Sequence, residues 1–151
     1  MTSGPPEWFL NRQRAVRLDE KGLFRFGAVL RRRLAGDQEY GVTVVSEAAM
    51  RRAHARFRGA SHATDVLSFP DGEAGFLGDI LICARQAERQ AAALGHGVDD
   101  EVKILMLHGV LHLLGYDHER DRGEMRRLET RWRRTLRLPR GRLERGGGEQ
   151  R

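Results

Sequence analysis

The sequence predicts a small α+β fold, in which a mixed sheet packs against helices and one helix is central and buried. The chain has 151 residues, enough for a core that buries about 70% of the unfolded chain's surface. Segments with the two-residue period of strands alternate with segments that have the helical period, and no internal repeat is found. We expect a single domain over residues 1–138 and a basic, mobile tail over residues 139–151.

The first part of the chain is expected to alternate between strands and amphipathic helices. Residues 7–18 are typical of one or two short strands with a turn, and residues 22–35 have the apolar spacing of a helix. The run EYGVTVVSE (39–47) predicts a strand. Ser46 near its end is a good N-cap, so a helix should follow and end near Gly59.

Two strands and a helix are expected next. DVLSF (65–69) predicts a strand, and Pro70, Asp71 and Gly72 predict a turn that closes it. FLGDILIC (76–83) predicts the next strand. The following ARQAERQAAALG is typical of a helix capped by Gly95.

A central helix is indicated by the most hydrophobic segment. Residues 99–101 are acidic, which complements the dipole at a helix N-terminus. Residues 104–114 are apolar on almost all sides, as expected of a helix surrounded by other elements. A last helix is expected from about residue 121 to residue 137.

The charge of the chain favours a phosphate-bearing partner without requiring one. Lysine and arginine number 27 against 21 acidic residues, a net charge of +6, and only Lys21 and Lys103 are lysines. Guanidinium groups grip phosphate in two places, which suits nucleic acid. The same arginine bias can also reflect genome composition, with clusters such as residues 31–33 forming solvated helix faces. Composition alone leaves both interpretations open.

Cysteine usage and the N-terminus favour a soluble, cytoplasmic protein with no membrane partner. Cys83 is the only cysteine, so no disulfide can form within the chain. It ends the apolar run ILIC and is interpreted as a core residue. The first residues, MTSGPPEWFLNRQR, lack the apolar stretch of a signal peptide, and no segment approaches membrane-spanning length.

The stretch HGVLHLLGYDH (108–118) predicts a metal site. His108 and His112 are four residues apart and therefore share a helix face. Gly115 offers a left-handed residue that ends the helix, and the turn would bring His118 towards the other two rings. Three neutral imidazoles leave a zinc ion one open position, which is the catalytic arrangement. Nickel or copper would also accept these ligands.

Gly109 indicates which chemistry this metal would serve. The three histidines and Gly115 reproduce the long zinc-hydrolase frame H-E-x-x-H-x-x-G-x-x-H, except that Gly109 replaces its glutamate. In a metalloprotease this glutamate is the general base. Its absence and the uncompensated +2 charge of zinc favour an anionic phosphodiester over a peptide.

Three segments together resemble the YbeY-type, metal-dependent endoribonucleases that mature ribosomal RNA. HGVLHLLGYDH is similar to the signature of this family. Arg58 followed by TDVLSFP (64–70) and then LGDI (77–80) is similar to two further family segments, in the same order and at matching distances. The resemblance spans about residues 37–137.

The resemblance implies a function and a set of site residues. His108, His112 and His118 match the family's zinc ligands, one ion per chain, with His108 at the catalytic centre. Arg58 matches an arginine needed for RNA cleavage, which suits a clamp on the scissile phosphate. The implied fold has a zincin-like core. The implied activity is cleavage of single-stranded RNA in 16S rRNA 3′-end maturation and ribosome quality control, with rRNA precursor and ribosomal particles as partners.

The sequence leaves two alternative functions possible and does not decide the roles of three aspartates. A zinc peptidase or amidase on the same scaffold is one alternative, and a noncatalytic ribosome-assembly factor stabilised by metal is the other. Asp65, Asp79 and Asp117 either orient a histidine through its second ring nitrogen or cap a turn.

Overall fold

The structure, a computed structural model, describes residues 8–56, 65–117 and 120–139. Over these residues the chain forms four strands and five helices, which confirms the predicted α+β class. In chain order they are β1 (Phe9–Asn11), α1 (Glu20–Arg33), β2 (Glu39–Val45), α2 (Glu47–Arg56), β3 (Val66–Glu73), β4 (Phe76–Cys83), α3 (Ala84–Leu94), α4 (Val98–Leu113) and α5 (Glu124–Thr135).

The four described strands form one mixed sheet in the order β1-β2-β4-β3. Strands β1, β2 and β4 are parallel, and β3 pairs with β4 in the antiparallel direction. Strand β3 therefore lies at one edge of the sheet, beside the strand that supports the central helix. The predicted mixed sheet is confirmed.

Side chains alternate between two apolar layers, one on each face of the sheet. Val42, Val44, Ile80 and Ile82 belong to the larger cluster, together with the buried residues of α4. On the other face, Val45, Leu67 and Cys83 pack with Met50 of α2. The thiol of Cys83 is free and buried, in agreement with the predicted packing role. Helices α4 and α2 thus cover opposite faces of the sheet.

Hydrogen bonds fix the first turn of α4. Asp99 accepts a bond from the backbone N–H of Asp19 at 2.9 Å, which ties α4 to the start of α1. Glu101 lies 2.6 Å from Nε2 of His96, and both side chains are buried. The acidic first turn that the sequence indicated therefore makes specific contacts as well as complementing the helix dipole.

Several predicted helix ends are confirmed by their caps. The Ser46 hydroxyl accepts a bond from the N–H of Ala49 at the start of α2. Gly95 ends α3 in the left-handed conformation, with φ at 81°. Helix α5 is shorter than expected at both ends, and Asp121 precedes it and accepts bonds from Gly123 and Met125.

The predicted turn at Pro70, Asp71 and Gly72 is wrong. Strand β3 continues through these residues to Glu73, and the chain reverses at residues 74–75. The pairing with β4 shifts register between Pro70 and Glu73. Because proline has no N–H to donate, it is tolerated in a strand mainly at an edge or an irregularity. The turn-forming residues mark a distortion in the edge strand here, and the reversal follows it.

Some sequence predictions lie outside the described residues. These are the helix end near Gly59, the basic tail beyond residue 139, and residues 1–7. Within the part of the chain that the structure describes, no helix is both long enough and apolar enough to cross a membrane.

Gly109 brings α4 into close contact with the sheet. A Cβ atom at this position would lie 2.8–3.0 Å from three side-chain carbons of Ile80 in β4. Real side chains essentially never approach so closely, so only glycine permits the observed separation of α4 and β4. The face of α4 that carries Gly109 is therefore occupied by packing against the sheet.

This contact predicts a coupled effect on stability. Gly109→Ala should lower the free energy of unfolding by about 1–3 kcal/mol, because the added methyl group overpacks the contact. Ile80→Ala removes all three carbons, so the double variant should lose less stability than the sum of the two single losses. Denaturant unfolding of the four proteins measures this difference.

Gly97→Ala is the matched control, because a Cβ there meets nothing within 4 Å. Its effect should add to that of Ile80→Ala within about 0.5 kcal/mol. Additivity of the Gly109 pair within the same margin would contradict the packing explanation.

Candidate functional site

Two histidines form the accessible part of an otherwise buried helical segment. In the C-terminal half of α4, His108 and His112 are half-buried, while the residues between and beside them are buried. Their Nε2 atoms are 3.1 Å apart, and the two rings meet edge to face with centroids 4.7 Å apart. The i, i+4 spacing therefore brings together the two rings that were predicted to share a helix face.

The end of α4 turns as the sequence predicted. Gly115 has a φ of 104°, and its N–H donates to the carbonyl of His112 at 3.0 Å. The N–H of Tyr116 donates to the carbonyl of Leu111 at 3.1 Å. These two bonds form a Schellman motif, which satisfies the last carbonyls of the helix and reverses the chain.

Two of the predicted site residues are not among the described residues. They are His118, the expected third ligand, and Arg58, the expected phosphate clamp. Across the described ranges, no three or more histidine, cysteine, aspartate or glutamate side chains converge in a way that would hold a metal ion. The structure thus brings His108 and His112 together, and the assignments of His118 and Arg58 stay predictions.

Glu129 in α5 contacts the histidine pair and was not predicted from the sequence. Its Oε1 atom lies 2.9 Å from Nδ1 of His108, and its Oε2 atom accepts a bond from Arg133 at 3.1 Å. The signal for this residue is its place on the helix: it lies on the same face as Met125, Leu128 and Trp132, which pack into the core. A carboxylate within an apolar stripe needs a buried partner.

The surroundings of Glu129 favour its ionised form. Burial alone would raise the pKa of this carboxyl group. The hydrogen bond with His108 and the positive charges of His108 and Arg133 outweigh burial, so the pKa of Glu129 lies below its usual value. A negative charge is therefore held directly behind the His108 ring.

Asp79 is on the wrong face of the sheet to orient either of the described histidines. Its neighbours Gly78 and Ile80 approach Leu113 and Gly109 of α4, so Asp79 points to the opposite face. There its carboxylate lies against Gly41 of β2. Asp79 therefore orients neither His108 nor His112, and its place inside strand β4 does not make it a turn cap either.

The main chains of the other two aspartates, Asp65 and Asp117, accept hydrogen bonds near the site. The carbonyl of Asp117 accepts bonds from the N–H groups of Arg120 and Asp121, which precede α5. Asp65 is buried, and its carbonyl accepts a bond from the N–H of Cys83. Both residues therefore take part in the local structure that flanks the site.

Comparison with known proteins identifies the family. The family model for endoribonuclease YbeY matches residues 20–137. The chain belongs to this family. The resemblance seen in the three sequence segments is confirmed, and the matched range includes both described histidines and Glu129.

Individual YbeY relatives are similar to this chain over most of their length. The chain is 46% identical to endoribonuclease YbeY of Solibacter usitatus over 134 residues, which cover 89% of this chain and 90% of the relative. It is 44% identical to endoribonuclease YbeY of Helicobacter pylori strain Shi470 over 114 residues, or 74% and 81% of the two chains.

A solved structure has a similar fold. The solution structure of TM1509 from Thermotoga maritima superposes with a TM-score of 0.58 at 27% sequence identity. The match covers 85% of this chain and 90% of the other. The arrangement of strands and helices described above is therefore similar to that of the Thermotoga maritima protein.

The placement of Asp79 predicts how its removal affects a YbeY-family protein. The pKa of Asp79 is raised, because its carboxyl group is partly desolvated against β2 and because Asp71 adds a negative charge nearby. Folding therefore disfavours the ionised form, and Asp79→Asn should leave the free energy of unfolding at pH 7 unchanged or higher.

The pH dependence of stability tests the direction of this effect. A raised pKa in the folded state means that the wild-type protein gains stability from this group as the pH falls through that pKa, whereas the variant does not. The stability advantage of Asp79→Asn should therefore shrink on acidification, as measured by denaturant unfolding between pH 7 and pH 4. A variant that is less stable than wild type at pH 7 would contradict this account of Asp79.

Proposed function

We propose that this protein is a zinc-dependent endoribonuclease that cuts single-stranded RNA in 16S rRNA 3′-end maturation and in ribosome quality control. Membership of the YbeY family supports the nuclease activity. The observation that carries the zinc assignment is the approach of two histidine Nε2 atoms to 3.1 Å on the half-buried face of the C-terminal half of α4. The proposed third ligand is His118, and one ion is expected per chain.

The distance between the two nitrogens fits a shared zinc ion. Two ligand nitrogens at the usual zinc distance and a tetrahedral angle lie about 3.3 Å apart, close to the observed separation of 3.1 Å. When bound, zinc would supply a Lewis acid that activates water near neutral pH and offsets negative charge on a phosphodiester. His108 and His112 would hold the ion through Nε2.

The chain's own residues favour RNA over a peptide as substrate. Position 109 has no carboxylate to act as the general base of a metalloprotease, and its face is filled by Ile80. Arg58 is the proposed clamp for the scissile phosphate, because a planar, permanently charged fork binds two phosphate oxygens at once. These residues support phosphodiester cleavage by a chain whose histidine spacing resembles that of zinc hydrolases.

Surface charge supports an RNA or ribosomal partner. The net charge is +6, and α5, which carries Glu129, also carries four exposed arginines: Arg126, Arg127, Arg131 and Arg134. Phosphate backbones are attracted to such a helix irrespective of base sequence. We place the protein in the cytoplasm, where its substrates would be assembled and where the lone thiol of Cys83 would stay reduced.

A cleavage assay tests the function directly. Purified protein is incubated with a precursor of 16S rRNA, with chelator, without it, and with zinc restored, and the new RNA ends are mapped. We expect ends near the 16S 3′ terminus that chelator removes and zinc restores. RNA binding without turnover would favour the assembly factor, and cleavage of unstructured peptides would favour the peptidase; either result contradicts the proposal.

The ligand assignment predicts loss of metal on substitution of either described histidine. His112→Ala should contain no zinc after purification. Its melting temperature should no longer rise when zinc is added, because metal bound only by the native state stabilises that state, by about 2.7 kcal/mol at a hundredfold excess over Kd. Zinc is measured by elemental analysis of the purified protein.

His54→Ala is the matched control, because His54 lies on α2, which covers the opposite face of the sheet. It should keep a full complement of zinc. Zinc retained in His112→Ala at the wild-type level would remove His112 from the ligand set.

Arg58→Ala should abolish most cleavage while metal content and melting temperature stay near those of wild type. Removing one preorganised donor to a transition-state charge typically lowers the rate by about 10² to 10³. Single-turnover cleavage of a short single-stranded RNA measures this loss. Arg51→Ala, which removes an exposed arginine of α2, serves as the control and should cut at the wild-type rate. An unfolded Arg58→Ala protein would point to a structural role instead.

A further inference from the structure

We propose that Glu129, held by Arg133, is a positioning residue that fixes the His108 ring in the orientation and tautomer required for metal binding. This inference rests on the proposed zinc-dependent function and adds a residue from another helix to the site. It follows from the contacts between α5 and α4.

The carboxylate of Glu129 is held from two sides. One oxygen meets Nδ1 of His108 at 2.9 Å, and the other accepts a bond from Arg133 at 3.1 Å. Arg133 is four residues after Glu129, so the side chains of these two residues lie on one face of α5. The side chains of all three residues are largely shielded from solvent, with exposed fractions of 22% for His108, 14% for Glu129 and 17% for Arg133.

The carboxylate determines which nitrogen of His108 carries the proton. An ionised carboxylate only accepts hydrogen bonds, so Nδ1 must be the donor. In the neutral ring the lone pair is then on Nε2, the atom that faces Nε2 of His112. The other oxygen of Glu129 accepts a bond from Arg133, so this carboxylate acts as an acceptor towards both of its partners. The His108 ring is thus presented with its lone pair towards the second histidine.

Helix α5 is anchored well enough to hold this geometry. Met125 is completely buried, and Leu128 and Trp132 pack against the same core cluster as α4. Carboxylates behind metal-binding histidines fix ring orientation and increase ligand basicity, and their loss typically weakens metal binding by about tenfold to a hundredfold. Because α5 is packed against the core, the carboxylate of Glu129 is already ordered before a metal binds, and its placement adds little entropic cost to binding.

A purely structural role for Glu129 would have different consequences. If the residue only joined α5 to α4, its removal would lower the melting temperature of the metal-free protein and leave the zinc affinity and the tautomer of His108 unchanged. The positioning role instead predicts a change in zinc affinity and in the His108 tautomer. These two quantities distinguish the roles.

Nuclear magnetic resonance of the metal-free full chain tests the positioning role without relying on zinc or on activity. Two-bond ¹H–¹⁵N correlations of the imidazole rings are recorded at increasing pH until His108 is neutral, with His108→Ala used for assignment. Wild-type His108 should carry its proton on Nδ1, and Glu129→Ala should show a mixture of tautomers. A wild-type ring protonated on Nε2, or a tautomer that does not respond to Glu129→Ala, would overturn the proposal.

Zinc affinity provides the second test, measured by competition with a chromophoric chelator. Glu129→Gln and Glu129→Ala should bind zinc about tenfold to a hundredfold more weakly than wild type. Glu124→Gln is the matched control on the same helix, because Glu124 is exposed and bonds to the backbone N–H of Arg122; it should bind zinc as wild type does. Equal zinc affinity in wild type and both Glu129 variants would contradict the positioning role.

The two proposals fail in distinguishable ways. If the wild-type protein bound no zinc, the proposed function would be wrong, and the tautomer measurement would still decide whether Glu129 fixes the His108 ring. If the wild-type protein bound zinc and cut RNA while the Glu129 variants matched it, only the positioning role would be lost. A Glu129 variant that does not fold leaves the tautomer of the wild-type ring as the deciding measurement.

Discussion

The contact between Gly109 and Ile80 determines where the histidine helix lies. Because position 109 has no side chain, α4 rests directly on β4, closer than any other residue would allow. The helix is then enclosed by the sheet and by α1, α3 and α5, and in its C-terminal half the side chains of His108 and His112 keep access to solvent. Gly109 therefore contributes to the histidine site indirectly, because it determines how closely α4, which carries His108 and His112, packs on the sheet.

The chain reversal after α4 brings a second helix back to the same place. The Schellman motif at Gly115 ends α4 within one turn of His112, and α5 begins at Glu124, nine residues after Gly115. Glu129 and Arg133 therefore come from a segment close in sequence to the histidines they support. The described half of the site is local in sequence, and the sheet supplies the surface on which it is assembled.

Much of the fold and part of the site could be predicted from the sequence, because the signals there are local. Apolar periodicity gave the order of the elements, Ser46 and Gly95 gave helix ends, and the four-residue spacing of His108 and His112 gave their shared face. The turn at Pro70 to Gly72 was wrong because the same residues that favour turns also distort edge strands. Only the register of β3 against β4 distinguishes the two cases.

Glu129 could not be predicted with the same ease, because its role depends on packing between helices. In sequence it is one charge in an arginine-rich helix. Its contact with His108 is formed only because α5 packs against α4. Asp79 shows the converse. It stands in a family-like segment and was a reasonable candidate to orient a histidine, yet the alternation of strand β4 turns it away from α4. Tertiary placement therefore distinguishes the roles of these two carboxylates.

The central claim is that Nε2 of His108 and Nε2 of His112 share one zinc ion. X-ray absorption spectroscopy at the zinc edge, on full-length protein loaded with one equivalent of zinc, tests it most directly. The account predicts a first shell of imidazole nitrogens at about 2.0–2.1 Å with no sulfur, and a loss of imidazole scattering in His108→Ala. A spectrum dominated by carboxylate oxygens or by water, or one that His108→Ala leaves unchanged, would contradict it.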